Sequence, residues 1–185
     1  MTTAERCIGQ CQQWVESFIR HHSICPFADR VIREKQLEYR CLADQDLESA
    51  LTELFMILGD MRTSPSPETM IVILPAWQED FDDFLRLTEL ARALLDEYEL
   101  GATFQFANFH PDYLFADEAL DSSSHYTNRA PWPILHILRQ DSISKALAHY
   151  PEPEKIPERN IELMQAIGKE SLQANLAKIM NSDVA

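Results

Sequence analysis

The sequence predicts an α/β fold built as a single domain over residues 1–185. Its sheet is expected to have about four strands, mainly parallel with one antiparallel strand, flanked by helices. Three observations lead there. Met70 to Leu74 is an unbroken, β-branched-rich run without alternation, the mark of a strand covered on both faces. Runs of strand length alternate with longer amphipathic stretches, and strand–helix–strand units of this length join parallel strands through right-handed crossovers. The last apolar run, Ile134 to Leu138, follows its predecessor through a loop with no helix, so it is free to pair antiparallel. A chain of 185 residues is within the reach of one hydrophobic core.

Taken in order, residues 4–22 read as an amphipathic helix. Cys7, Cys11, Trp14, Val15, Phe18, Ile19 and His22 recur at helical spacing. Ser23-Ile24-Cys25 interrupts it, and Pro26 suits the first turn of a short helix running to Lys35. Leu37 to Leu42 has the composition of a strand. Asp44 to Asp46 supply a cap for a helix through Met61, with Leu47, Leu51, Leu54, Phe55, Leu58 and Met61 as its apolar face. Thr63 to Pro67 is a breaker. Residues 79–99 form a long acidic helix closed by Gly101, and Thr103 to Ala107 is the third strand. Ser142 to Tyr150 is a short helix ended by Pro151-Glu152-Pro153. Pro157 then opens a final helix whose stripe is Ile161, Met164, Ile167, Leu172, Leu176 and Ile179.

Composition excludes several function classes. Thirty acids against 16 bases give a formal charge of −14, a field that repels phosphate backbones, so no nucleic-acid partner is expected. No apolar run is long enough to cross a bilayer and MTTAERCIGQ has no apolar leader, so no membrane partner and a cytoplasmic location are expected. Four scattered glycines cannot build a Walker loop or a GxGxxG fingerprint. No HExxH, CxxC or HxH spacing is present, so no metal and no cofactor are expected. Cys7, Cys11, Cys25 and Cys41 read as free thiols. No pattern specifies an oligomeric state.

The groups able to bind or to move protons concentrate between Thr103 and Arg139. An aromatic strand breaks at His110-Pro111, a polar loop carries Asp112, Tyr113, His125, Asn128 and Arg129, and the last strand holds His136 and ends at Arg139. In α/β sheets ligands bind beyond the carboxyl ends of the parallel strands, here near Ala43-Asp44, Pro75-Trp77 and Asn108-His110. An antiparallel fourth strand would begin at that same edge and bring Asn128, Arg129 and Trp132 towards His110.

The segments CPFA (25–28), FHPDYLF (109–115), YTNRAPWPILHILRQDS (126–142) and IPERNI (156–161) resemble an uncharacterised bacterial family of about this length. Its members carry only a domain-of-unknown-function label. The resemblance spans nearly the whole chain and implies a compact cytoplasmic domain, but no activity. CPFADRV also resembles the active-site stretch of glutaredoxins and some glutathione transferases. Here it follows a helix rather than a strand, and position 28 is alanine rather than a second cysteine.

Three readings follow from the residues. In the first, a small enzyme binds an anionic metabolite at the loop edge, residues 108–133. Arg129 and Asn128 hold the anion with Tyr113 as a further donor, His110 assisted by Asp112 transfers a proton, and Cys25 is a nucleophile if it folds nearby. Against this stand a turn in which Asp112 bonds backbone amides and an arginine paired to Asp112, Asp117 or Glu118. In the second, Trp77, Tyr113, Phe115 and Trp132 form the interface of a non-catalytic binding or assembly module. The third is a thiol-redox or metal protein, favoured least. His136 shares an apolar face with Ile134 and Leu138, which reads first as a hydrogen-bonded core histidine.

Overall fold

A computed structural model describes residues 2–43, 46–148 and 150–183. Helix α1 (Thr3–Trp14) opens with a capping box between Thr2 and Glu5 and continues into a π-helical turn, Val15–Arg20. Then come α2 (Ala28–Arg33), β1 (Leu37–Cys41), α3 (Leu47–Thr63), β2 (Thr69–Ile73), α4 (Phe81–Glu97) and β3 (Phe104–Phe109). After a long loop follow β4 (Ile134–Arg139), α5 (Gln140–Leu147), α6 (Ile156–Ile167) and α7 (Lys169–Met180). Asp46 caps α3 by accepting from Ser49 N–H at 2.8 Å, while Asp44 lies outside the described residues. The helix expected through Tyr150 stops at Leu147, and His149 likewise lies outside them. The single final helix is two, because Gly168 takes φ 84°, a conformation an α-helix cannot contain.

The sheet corrects the predicted topology. Its order is β1-β2-β4-β3, and only β1 and β2 pair in parallel; β4 pairs antiparallel with both β2 and β3. The sheet is therefore mainly antiparallel rather than mainly parallel. Strand–helix–strand spacing constrains direction but not neighbourhood, and β4 takes the interior slot between β2 and β3. Ile134, Leu135 and Ile137 are buried, so β4 is apolar on both faces and needs cover on both.

Alternation divides the sheet residues between two cores. Met70, Val72, Leu135, Ile137 and Phe104 pack beneath α3 and α4. On α3 the buried stripe is Ala50, Leu54, Ile57, Leu58 and Met61, rotated from the predicted one, since Leu47 and Phe55 are exposed. Ile71, Ile73 and Ile134 face the other way, towards α1, the 24–32 segment, α6 and α7. The second core is incompletely filled, and a cavity opens there.

Candidate functional site

On this second face lies a cavity of about 720 Å³. Its floor is the sheet: Leu37, Thr69, Ile71, Gln105, Ala107, Phe109, Ile134, His136 and Leu138. His136 sits at the centre, in register with Ile71 on one side and Ala107 on the other. Ala107 is too small to fill the space above its strand, which helps to leave the hollow open. The walls come from the Trp14–Ile19 stretch, from Ile24 to Val31, from the loop at Phe115 to Asn128, and from α5 and α6. The volume is that of a small-molecule site, and most of the lining is apolar.

The chemistry of His136 is set by Thr69. The Thr69 hydroxyl donates its one proton to Ile137 O at 2.7 Å. It must therefore accept at the other contact, so His136 Nε2–H donates to Thr69 Oγ1 at 2.6 Å. This fixes the neutral tautomer with the lone pair on Nδ1, which has no hydrogen-bond partner among the described residues. Nor is it sealed, because Gln78 Oε1 is the one fully buried, unpartnered side-chain polar atom among those residues. Nδ1 thus opens onto the cavity that the ring lines. Burial pushes the imidazole pKa down to about 4, so the ring is uncharged at neutral pH.

Cys25 lines the same cavity. Its surface is exposed although the residue lies deep among protein atoms; the two agree because that surface faces the hollow. Burial raises the thiol pKa, outweighing amide bonds from Phe27 and Ala28 and the charge of Arg159. Asn160 Nδ2 donates to Ile24 O at 2.9 Å and Arg159 donates to Ser23 O, so α6 holds the turn that presents Cys25.

Of the other expected site residues, Asn128 alone lines the cavity. His110 follows β3 on the α4 side, its ring 5.1 Å from Phe81 and 5.3 Å from Phe84. Its Nε2–H donates to Trp77 O at 3.0 Å and its Nδ1 accepts Asp112 N–H at 3.0 Å, so the main chain occupies both nitrogens. Burial lowers its pKa, opposed by the Trp77 carbonyl and by Asp112 and Asp80. The Tyr113 ring packs between Phe81 and Phe115, and burial raises its phenol pKa. Asn128 does meet His110, accepting its N–H at 3.1 Å and donating from Nδ2 to Asn108 O, and it reaches the cavity wall.

Arg129 points away from the cavity, over the Tyr126 ring at 4.8 Å, with Nε donating to Tyr113 O at 3.3 Å. It forms no ion pair among the described residues. The hollow beside it holds about 10 Å³, room for roughly one water. Of the remaining aromatics, Phe115 stacks on His125 and Trp132 Nε1 donates to Gln10 Oε1 at 2.7 Å.

A family described as protein of unknown function (DUF1415) matches residues 6–174. The chain belongs to it. No curated protein and no solved structure matches. The four segments quoted above all lie inside that span, and every one of them lines the cavity. CPFA contributes Cys25 and Phe27, FHPDYLF contributes Phe109 and Phe115, the β4 segment contributes Asn128 and His136, and IPERNI contributes Pro157 and Asn160.

Two contributors to the lining, His136 and Thr69, were absent from the predicted site. The available signal was an imidazole at the centre of an otherwise apolar strand; its partner, 67 residues away, left none. No group of three or more His, Cys, Asp or Glu side chains suited to a metal ion occurs among the described residues. Cys7, Cys11 and Cys41 do gather under α1. A hydrogen bond from Cys41 draws the Cys7 pKa down, and burial pushes that of Cys11 up.

Proposed function

We propose that the protein binds a small, largely apolar molecule in the cavity between the sheet and its α1, α2, α5 and α6 cover. One observation carries this reading: a hollow of about 720 Å³ is lined by all four of the segments through which the chain resembles its family. The loop edge between residues 108 and 133 is one wall of this site rather than the whole of it. The lining carries two groups with chemical potential, the Cys25 thiol and the neutral His136 imidazole, but burial keeps the thiol protonated and makes the imidazole a weak base, which favours binding over catalysis. Proton transfer by His110 with Asp112 is the costlier alternative, because one of the two main-chain bonds to the His110 imidazole would have to open first.

The test is thermal unfolding against a panel of apolar small molecules, for the native chain and for Ala107→Phe, which places a ring over the cavity floor. A ligand at about a hundred times its dissociation constant adds roughly 2.7 kcal/mol. Stabilisation in the native chain that disappears in Ala107→Phe is the expected result. A panel that stabilises both proteins equally would place binding elsewhere.

A second reading is supported by Arg129, a guanidinium without an ion pair among the described residues, available to an anionic metabolite at the surface. Inorganic phosphate and small carboxylates that stabilise the native chain but not Arg129→Ala would favour it.

A further inference from the structure

The cavity also defines the chemical class of its occupant, an inference that rests on the cavity being the binding site. Its central polar group is His136 Nδ1, an acceptor by virtue of the Thr69 and Ile137 bonds that hold the proton on Nε2. An apolar molecule covering this nitrogen without donating to it would leave a buried acceptor unsatisfied, which weakens its binding. The charges around the lining are three carboxylates, Glu68, Asp117 and Glu118, against two arginines, Arg30 and Arg139. Both arginines are already committed. Arg30 pairs with Glu68 through both terminal nitrogens, and Arg139 donates to Met61 O, Ser64 O and Pro67 O. The exposed Asp117 and Glu118 have no basic partner among the described residues, and they disfavour anions.

We infer that the cavity selects an uncharged, predominantly apolar molecule carrying a hydroxyl or N–H group, which donates a hydrogen bond to His136 Nδ1. The rest of the ligand lies along Ile71, Ala107, Phe109 and Ile134. A carboxylate fits poorly, because the acceptor cannot pair with it, Arg30 is held by Glu68, and Arg139 spends Nε and Nη2 on main-chain carbonyls.

Three probes of one shape separate the possibilities: β-naphthol, naphthalene and β-naphthoate, titrated into the native chain and His136→Leu. Naphthalene is the more water-averse of the neutral pair, so apolar burial alone favours it. The native chain is expected to bind β-naphthol about tenfold more tightly than naphthalene. In His136→Leu that preference should vanish while naphthalene still binds. The His136 Nδ1 resonance should move with β-naphthol and stay still with naphthalene, a readout that needs no variant. Equal binding of the neutral pair with a static Nδ1 signal, or tightest binding of β-naphthoate, would overturn the inference while leaving the cavity as a site. Failure of all three probes to bind would overturn both.

Discussion

His110 and His136 are the same side chain with different consequences, because different atoms reach them. At His110 both nitrogens are spent on main-chain groups, whereas at His136 one nitrogen is spent and the other faces the cavity. This difference predicts a pH dependence for His136. Its folded pKa of about 4 lies below the ordinary value of 6.5, so the unfolded state takes the proton first as pH falls. The contribution to stability is complete above pH 6.5 and is lost progressively down to about 4. Its size is about 3 kcal/mol, from 1.4 kcal/mol per pKa unit. Denaturant unfolding at neutral and acid pH should show His136→Gln losing less stability than the native chain by about this amount. Cys25 gives the opposite profile from an activated thiol. Its alkylation by N-ethylmaleimide should keep accelerating with pH through the usual thiol range and level off only above it, and a plateau reached near neutral pH would contradict the burial argument.

The elements show where local rules held and where they did not. The amphipathic stretches at α3 and α4 form helices close to the predicted bounds, and α1 with its π-helical turn covers most of the first, because periodicity is a property of the local chain. Gly168 divides α6 from α7 through its positive φ, with nothing within 4 Å of an added Cβ. Gly168→Ala is therefore a pure backbone test, expected to cost about 1 kcal/mol in denaturant unfolding. Asn160 links elements far apart in the chain by holding the Ile24 carbonyl. Asn160→Ala leaves that carbonyl without its donor and should cost about 1–3 kcal/mol. It should also speed Cys25 alkylation as the turn loosens, an effect absent from Gly168→Ala. In the sequence the segment 156–161 reads as a helix start opened by Pro157. Its further role is tertiary: Arg159 and Asn160 grip the turn before Cys25.

Across the whole molecule, the two faces of one sheet serve different ends. The α3–α4 face is packed with fully buried side chains such as Leu54, Phe84 and Phe104. The other face combines a core with a hollow large enough for a ligand. Among the described residues no helix is long and apolar enough to cross a membrane. Filling the hollow distinguishes structure from function. Without ligand, Ala107→Leu should hold or raise the melting temperature by adding apolar contacts in open space, while weakening any cavity ligand severalfold. A large loss of stability instead would mean that the space is less open than its volume implies.

The sequence by itself determined the α/β class, the order and approximate bounds of the elements, the family resemblance and the concentration of polar groups between Thr103 and Arg139. These follow from periodicity, caps and breakers, which act over a few residues. Tertiary structure decided the rest. Strand neighbours depend on which edge a free strand joins, and β4 entered between β2 and β3 to cover both of its apolar faces. The polar loop was divided by the pleat and its turns: His110 went to the packed face, Arg129 to a half-buried place over Tyr126 and Asn128 to the cavity. His136 acquired its chemistry from Thr69, a residue with no local relation to it. A hydrogen-bond acceptor facing a cavity is a property of two strands and a cover, and no stretch of chain contains it alone.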